Sequence, residues 1–327
     1  MREKILENLT MAFRNRFVSK SPLFLSHMVT SLCNARCEFC ALWKRSSQYN
    51  NDMSLSEIFS MLRKAREAGI VSYTAWGGEP LLRQDLHEIL ECAKSEGFIT
   101  QIITNGYLLE ERRDELAPNT DFLIVSIDSA DSLHNELRGV DGILQKAIDG
   151  IKAWKQTETR IVINSVIAKA NKDKIGGLVG LSESLEVPIS FEPMQVNEEN
   201  EEYRFSDGEL KRIFAKIAKY KKSGSRIVNS LPYLRNFFDG KNYVCHYPKL
   251  FVKVEADGEV NSCDDGLDKY WGNINDISFQ EIFQSKEYEE FCKRAEKCDI
   301  CDVSCVIESS LGYSLNPQYI IDKIRNF

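Results

Sequence analysis

From residue 22 to about residue 195 the chain alternates between short apolar runs and longer stretches with apolar residues every three or four positions. The apolar runs predict strands at Leu23–Met28, Ile70–Trp76, Ile99–Ile103, Phe122–Ile127, Arg160–Ile167 and Pro188–Phe191. Between them the spacing predicts helices over Leu55–Ala68, Gln84–Glu96, Gly142–Lys155 and Lys172–Leu185. In the first of these helices Leu55, Ile58, Phe59, Leu62 and Ala65 share one face. Strand–helix alternation implies parallel strands joined by right-handed crossovers. The expected fold is α/β, six such units forming a partial barrel or an open sheet, with ligands at the carboxyl ends of the strands.

The rhythm changes near residue 200. Glu198–Glu202 is an acidic connector, Asp207–Lys222 reads as a surface helix, and Val252–Val254 and Glu259–Asn261 read as a hairpin around the turn dipeptide Asp257-Gly258. A helix over Ser278–Arg294 leads into Cys298. At the other end, Ile5, Leu6, Leu9, Met11, Phe13 and Phe17 interleave with Arg2, Lys4, Arg14, Arg16 and Lys20. That pattern is a basic amphipathic helix over 1–21, which either packs across one end of the barrel or lies on an anionic membrane surface.

Composition narrows the class. The 327 residues are 43% hydrophobic, an ordinary globular proportion, and allow one large domain and a smaller one. Asp+Glu at 49 against Lys+Arg at 42 gives a net charge of -7, the wrong sign for a protein that lives by neutralising phosphates, so no nucleic-acid partner is expected. No apolar run is long enough for a membrane span, and the early charges interrupt any signal-peptide core, so the expected location is cytoplasmic. Ten cysteines in a reduced compartment then point to metal binding. Cys92 and Cys292 stand alone in helical patterns and read as packing residues.

The other eight fall in groups. Cys33, Cys37 and Cys40 form a C-x3-C-x2-C triplet after the first strand. A four-iron cluster needs four ligands, so three thiolates leave one iron open to a small molecule. Structural zinc closes four positions, usually with His or C-x2-C pairs, and no His lies near this triplet. Gly77-Gly78-Glu79-Pro80 follows the second strand, where two glycines let backbone come close and an acid can hold an ammonium group. Thr104-Asn105-Gly106 closes the third strand. Ser126-Ile127-Asp128 closes the fourth, with Ser126 and Asp128 on one side by alternation, and Arg138 follows twelve residues after Ser126. Near the C-terminus, Cys245 and Cys263 flank the hairpin and Cys298-Asp299-Ile300-Cys301 adds a C-x2-C turn. Together these can supply four thiolates to a second cluster, with a zinc ribbon as the structural alternative.

The triplet together with Gly77-Gly78-Glu79-Pro80 resembles the signature of the radical S-adenosylmethionine (radical SAM) superfamily. The C-terminal pattern of Cys245, Gly258, Cys263 and a C-x2-C turn resembles its SPASM/Twitch extension. The likeness runs over roughly residues 22 to 305. It implies a partial (β/α)6 barrel over 22–200, a helical connector over 201–240, a small α+β cluster domain over 241–310 and a tail over 311–327.

By this likeness Cys33, Cys37 and Cys40 hold a [4Fe-4S] cluster that binds SAM. Gly77, Gly78 and Glu79 meet the methionyl amino group, and a serine and an arginine, here Ser126 and Arg138, receive the carboxylate. Phe39 packs by the adenine, Asn164 and Met194 line the nucleoside end, and Thr104, Asn105 and Asp128 complete the cofactor-binding set. One auxiliary [4Fe-4S] cluster is expected on Cys245, Cys263, Cys298 and Cys301, while Cys305, a fifth cysteine, either replaces Cys298 or Cys301 or stands near the substrate. Reductive cleavage of SAM would yield a 5′-deoxyadenosyl radical that takes a hydrogen atom from the substrate, with a flavodoxin- or ferredoxin-type protein as electron donor.

Many peptide-modifying relatives carry an N-terminal recognition domain, and here the barrel starts at residue 22. A small-molecule substrate is therefore the leading expectation. A peptide or protein maturase, a lipid-modifying enzyme and a non-catalytic iron–sulfur carrier are the alternatives. Glu192, Gln195, His246 and Tyr247 are pocket residues by position alone.

Overall fold

The computed structural model describes residues 10–11, 13–19, 21–40, 42–45, 51–196, 203–263 and 269–326. Six parallel strands, β1 (Phe24–Thr30), β2 (Ser72–Gly77), β3 (Ile99–Thr104), β4 (Phe122–Ser126), β5 (Arg160–Ile167) and β6 (Ile189–Pro193), form a partial barrel in the order of the sequence. The helices α1 (Leu55–Glu67), α2 (Leu86–Ser95), α3 (Leu133–Arg138), α4 (Ile143–Trp154) and α5 (Ile175–Leu185) fall between them.

Alternation along the strands separates two faces. In β5, Ile161, Ile163, Ser165 and Ile167 are buried, while Val162, Asn164 and Val166 are half-buried towards the lumen. The helices present matching stripes, such as Ile58, Met61, Leu62 and Ala65 of α1, and burying each large apolar side chain is worth about 1.5–3 kcal/mol. A capping box between Ser54 and Glu57 starts α1. Trp154 of α4 is fully buried and donates its indole N–H to the Leu109 carbonyl at 2.8 Å.

The second region does not form a separate sheet. Strand β7 (Phe251–Val254) pairs in parallel with β1, and β8 (Glu259–Ser262) and β9 (Lys269–Asn273) follow antiparallel, giving nine strands in the order β6-β5-β4-β3-β2-β1-β7-β8-β9. The helices α6 (Asp207–Lys222) and α7 (Leu231–Arg235) bridge the two regions, and α8 (Phe279–Gln284), α9 (Lys286–Ala295), α10 (Ser304–Tyr313) and α11 (Pro317–Asn326) complete the C-terminal part.

Three expectations change. The single helix over Ser278–Arg294 is two helices, because Ser285 is extended and its side chain accepts from Tyr288 N–H, starting α9 afresh. The tail contains α11, started by Asn316, whose side chain accepts from Tyr319 N–H, with Pro317 in the first turn. The strand β4 ends at Ser126, so Asp128 no longer follows its alternation.

Of the N-terminal helix, Ile5, Leu6 and Leu9 lie outside the described residues. Asn15 donates to the carbonyls of Pro22 at 3.2 Å and Gly69 at 2.7 Å, which holds this segment beside the start of the barrel. Gly69 has φ +91, and a Cβ there would meet Asn15 at 2.7 Å. Phe13 and Phe17 are exposed. The acidic connector Glu198–Glu202 also lies outside the described residues.

Candidate active site

The cysteine triplet sits on the loop that leaves β1. Cys37 is buried and Cys33 and Cys40 are half-buried. Two backbone hydrogen bonds pin the loop to the end of α3: Arg36 N–H to the Arg138 carbonyl at 2.9 Å and Glu38 N–H to the Leu137 carbonyl at 3.1 Å. A third tether joins Asn105 to Asn34, Nδ2 to Oδ1, at 2.8 Å. Burial pushes the Cys33 thiol up to about 11, with further raising from Glu79 and the other two cysteines. Burial also raises Cys37, against a downward pull from Arg138.

Gly77-Gly78 run directly beside this loop. Gly78 N–H donates to the Thr30 carbonyl at 2.9 Å and Glu79 N–H to the Leu32 carbonyl at 2.8 Å. A Cβ on Gly77 would lie 2.3 Å from the Thr30 oxygen, and one on Gly78 2.2 Å from the Leu32 oxygen. The glycines are thus required by the approach of the protein's own chain just before Cys33, rather than by ligand approach alone.

Glu79 is fully buried at the meeting point of three strand ends. Its Oε1 accepts from Leu81 N–H at 3.1 Å and Thr104 Oγ1 at 2.6 Å, and its Oε2 from Asn105 N–H at 2.7 Å. Burial raises its pKa, and these donors pull it back. A carboxylate offers about four acceptor positions, so these three leave room for one more donor.

Arg138 and Asp128 form a buried ion pair behind the cysteine loop. Asp128 is fully buried and its Oδ2 takes both Arg138 Nη2 at 2.6 Å and Nε at 2.8 Å. Its Oδ1 accepts from Val166 N–H at 3.0 Å, and its own N–H donates to His134 Nδ1 at 3.1 Å. Arg138 Nη1 lies 3.9 Å from Cys37 Sγ, and the guanidinium carbon sits 5.5 Å from the centre of the Phe39 ring. Asp128 Oδ2 thus engages two of the three guanidinium nitrogens, and the third, Nη1, faces the cysteine loop. Arg138 touches the cysteine loop directly, and Asp128 holds Arg138 in that position.

Ser126 is half-buried in the lumen wall and pairs in register with Asn164. Asn164 accepts from Ser190 Oγ at 2.6 Å and donates to Glu192 Oε1 at 2.8 Å. Met194 is buried, its N–H on the Ile167 carbonyl at 2.9 Å.

In the C-terminal region Cys245, Cys263, Cys298, Cys301 and Cys305 all line one cavity of about 200 Å³, together with Gln195 and Tyr247. Cys245 and Cys301 are buried and Cys305 is exposed. Cys263 has φ +68, an uncommon backbone for a residue with a Cβ, where β8 ends. Burial lifts the Cys245 thiol to about 11, helped by Cys298 and Cys263. Among the described residues no three His, Cys, Asp or Glu side chains converge on a single-ion site. Cysteines around one cavity are the donor set that iron–sulfur clusters take. His246 lies outside this lining, with its Nε2 3.1 Å from Ser314 Oγ.

Of the isolated cysteines, Cys292 is buried and Cys92 half-buried. Sequence reasoning missed Asn34 and Ser304, polar residues that acquire partners only through the fold.

Comparison with known proteins places these groups in a family. The family described as Radical SAM superfamily matches residues 28–178, and the one described as SPASM, an iron–sulfur cluster-binding domain, matches residues 245–306. Among solved structures, anSMEcpe with bound AdoMet is similar at a TM-score of 0.67 and 20% identity, covering 93% of this chain and 100% of that one. Its complex with AdoMet and the Cp18Cys peptide is similar at 0.67 and 18%. SuiB of Streptococcus suis bound to its precursor peptide SuiA gives 0.68 and 18%, covering 88% of this chain and 69% of that one. In its S-adenosylmethionine complex the chain spans 65% of SuiB, just under two thirds. The triplet, the Gly77-Gly78-Glu79 crossing and the five C-terminal cysteines lie within the matched regions, and this chain belongs to the radical SAM superfamily, as an enzyme with a C-terminal SPASM iron–sulfur cluster domain.

Proposed function

We propose that this enzyme modifies a peptide or protein substrate, the reading that replaces the small-molecule expectation. What supports it is that two structures similar to the chain over both barrel and cluster regions hold peptides, SuiA in SuiB and Cp18Cys in anSMEcpe. The bound cofactors would supply a 5′-deoxyadenosyl radical that takes a hydrogen atom from the substrate.

The chain's own part is positioning. Cys33, Cys37 and Cys40 would hold the SAM-binding [4Fe-4S] cluster. The remaining acceptor position on Glu79 would take the SAM ammonium, and Ser126 and Asn164 would face the cofactor from the lumen wall. Arg138, held by Asp128, would keep the cysteine loop in place instead of receiving the SAM carboxylate. Cys245, Cys263, Cys298 and Cys301 would hold one auxiliary [4Fe-4S] cluster, the exposed Cys305 being the fifth thiol. A flavodoxin- or ferredoxin-type donor would reduce the first cluster.

The test is anaerobic reconstitution, reduction, and incubation with SAM and the peptides encoded by neighbouring genes. Expected are 5′-deoxyadenosine and a mass change in a peptide, with deuterium carried from labelled peptide into 5′-deoxyadenosine. Turnover of a metabolite with no peptide modified would return the reading to a small-molecule enzyme. In the Cys33→Ala/Cys37→Ala/Cys40→Ala variant 5′-deoxyadenosine should vanish while C-terminal iron remains.

A further inference from the structure

The last barrel strand is tied directly to the loop that carries the C-terminal cysteines. Glu192 of β6 accepts from Asn164 Nδ2 through Oε1 at 2.8 Å, and through Oε2 from Ser304 Oγ at 2.9 Å and Ser304 N–H at 3.3 Å. Ser304 is the first residue of α10, so the carboxylate serves as a cap supplied from another element at the positive end of that helix. Ser304 stands three residues after Cys301 and immediately before Cys305.

A second bridge runs alongside. Tyr233 Oη lies 3.2 Å from the Asp302 carbonyl and 3.4 Å from the Phe191 carbonyl, joining the residue after Cys301 to the residue before Glu192. Asn229 braces the same point of β6, accepting from Phe191 N–H at 2.7 Å and donating to its carbonyl at 3.1 Å. Burial pushes the pKa of the Tyr233 phenol well up, and Glu192, then Glu308, Asp302 and Cys301, add to it.

We propose that Glu192 is a positioning residue of the auxiliary site, a barrel carboxylate that holds the Cys301–Cys305 loop against the lumen wall and lowers the potential of the cluster bound there. The inference rests on the auxiliary-cluster reading above. A fixed negative charge beside a cluster disfavours the added electron, and partial burial keeps the solvent from screening it fully. Because Asn164 connects Glu192 to the wall bearing Ser126, the same carboxylate joins the cofactor side of the lumen to the C-terminal cysteines.

The experiment is potentiometric titration of the anaerobically reconstituted protein, followed by electron paramagnetic resonance, with iron counted for every variant. In Glu192→Gln the auxiliary midpoint should move to a more positive value while the SAM-binding cluster keeps its own. Glu192→Asp restores the charge and should return the midpoint most of the way. A role in domain docking alone would leave the shorter acid no better than the amide. Ser304→Ala keeps the charge but removes one tether, and should change the auxiliary signal's g values. Full iron with an unmoved midpoint in Glu192→Gln overturns the inference alone. If that variant loses iron, an unchanged Ser304→Ala spectrum overturns it instead. Wild-type protein with iron for one cluster only would remove the auxiliary-cluster reading, and this inference with it.

Discussion

Replacing Arg138 by Met offers a sharp test of how the cysteine loop is supported. The change retains much of the aliphatic volume and strands Asp128, which is fully buried and loses contacts of 2.6 and 2.8 Å to the guanidinium. Removing one partner of a buried ion pair costs about 3–5 kcal/mol, because the other charge stays buried without compensation. Arg138→Met/Asp128→Asn also removes the charge, and Asn keeps an oxygen for Val166 N–H. The double variant should therefore recover most of the loss, with a coupling on the order of 2–3 kcal/mol. Urea unfolding of the iron-free proteins, followed by far-ultraviolet circular dichroism, measures all four corners of the cycle. Iron loading gives a second readout. Burial already raises the Cys37 thiol, and without Arg138 to pull it down the triplet should load more slowly at neutral pH and recover as pH rises. A single variant within about 1 kcal/mol of wild type, or a double variant no more stable than the single, would refute the support role.

Buried, neutral histidines should make the protein acid-labile. Burial lowers His27 to about 3 and His134 to about 4 from 6.5, so the stability they confer is complete above pH 6.5 and falls below it as the unfolded chain takes up protons. The slope is about 1.4 kcal/mol per pH unit for each histidine while folded protein stays unprotonated, and His27→Phe should flatten it in urea midpoints taken from pH 7.5 to 5. Gly78→Ala should abolish SAM-cluster loading, since its Cβ would lie 2.2 Å from the Leu32 oxygen, whereas Gly180→Ala in α5 meets no atom within 4 Å and should stabilise by about 0.5–1 kcal/mol in thermal melts. Single Ala variants of Cys245, Cys263, Cys298 and Cys301 should each lose the auxiliary cluster by iron count and Mössbauer spectroscopy, and Cys305→Ala should keep it. Loss of the cluster in Cys305→Ala with Cys298→Ala or Cys301→Ala intact would exchange the ligands.

The barrel strands were legible because their alternation is local: Arg160–Ile167 repeats buried and half-buried positions without interruption, and the strand has those bounds. Ser285 shows the limit of periodicity, since apolar spacing continues across it while its side chain diverts the backbone. The start of α11 had a readable signal in Asn316-Pro317, with Ile320, Ile321 and Ile324 at helical spacing after it. The cysteines and Gly77-Gly78-Glu79 were visible as motifs. What Arg138 touches was not, because an arginine ten residues past a buried aspartate pairs with it only if both turn inward. That choice depends on His134, one turn earlier on the same helix, and on Val166 and the cysteine loop, which reach the place from two other segments. Ser304 was invisible for a related reason: its partner Glu192 lies 112 positions earlier.

The pairing of β7 with β1 has a consequence for how the chain can be divided. Strand β1 delivers the first cysteines, and β7 covers its outer side through the register Phe24–Phe251 to His27–Val254. A fragment ending near residue 240 would leave a row of unsatisfied N–H and C=O groups along an apolar strand. Such open edges template association between copies. The fragment should therefore aggregate when expressed alone, even though it holds every group assigned to SAM, and the C-terminal region is as much a shield against self-association as a holder of iron.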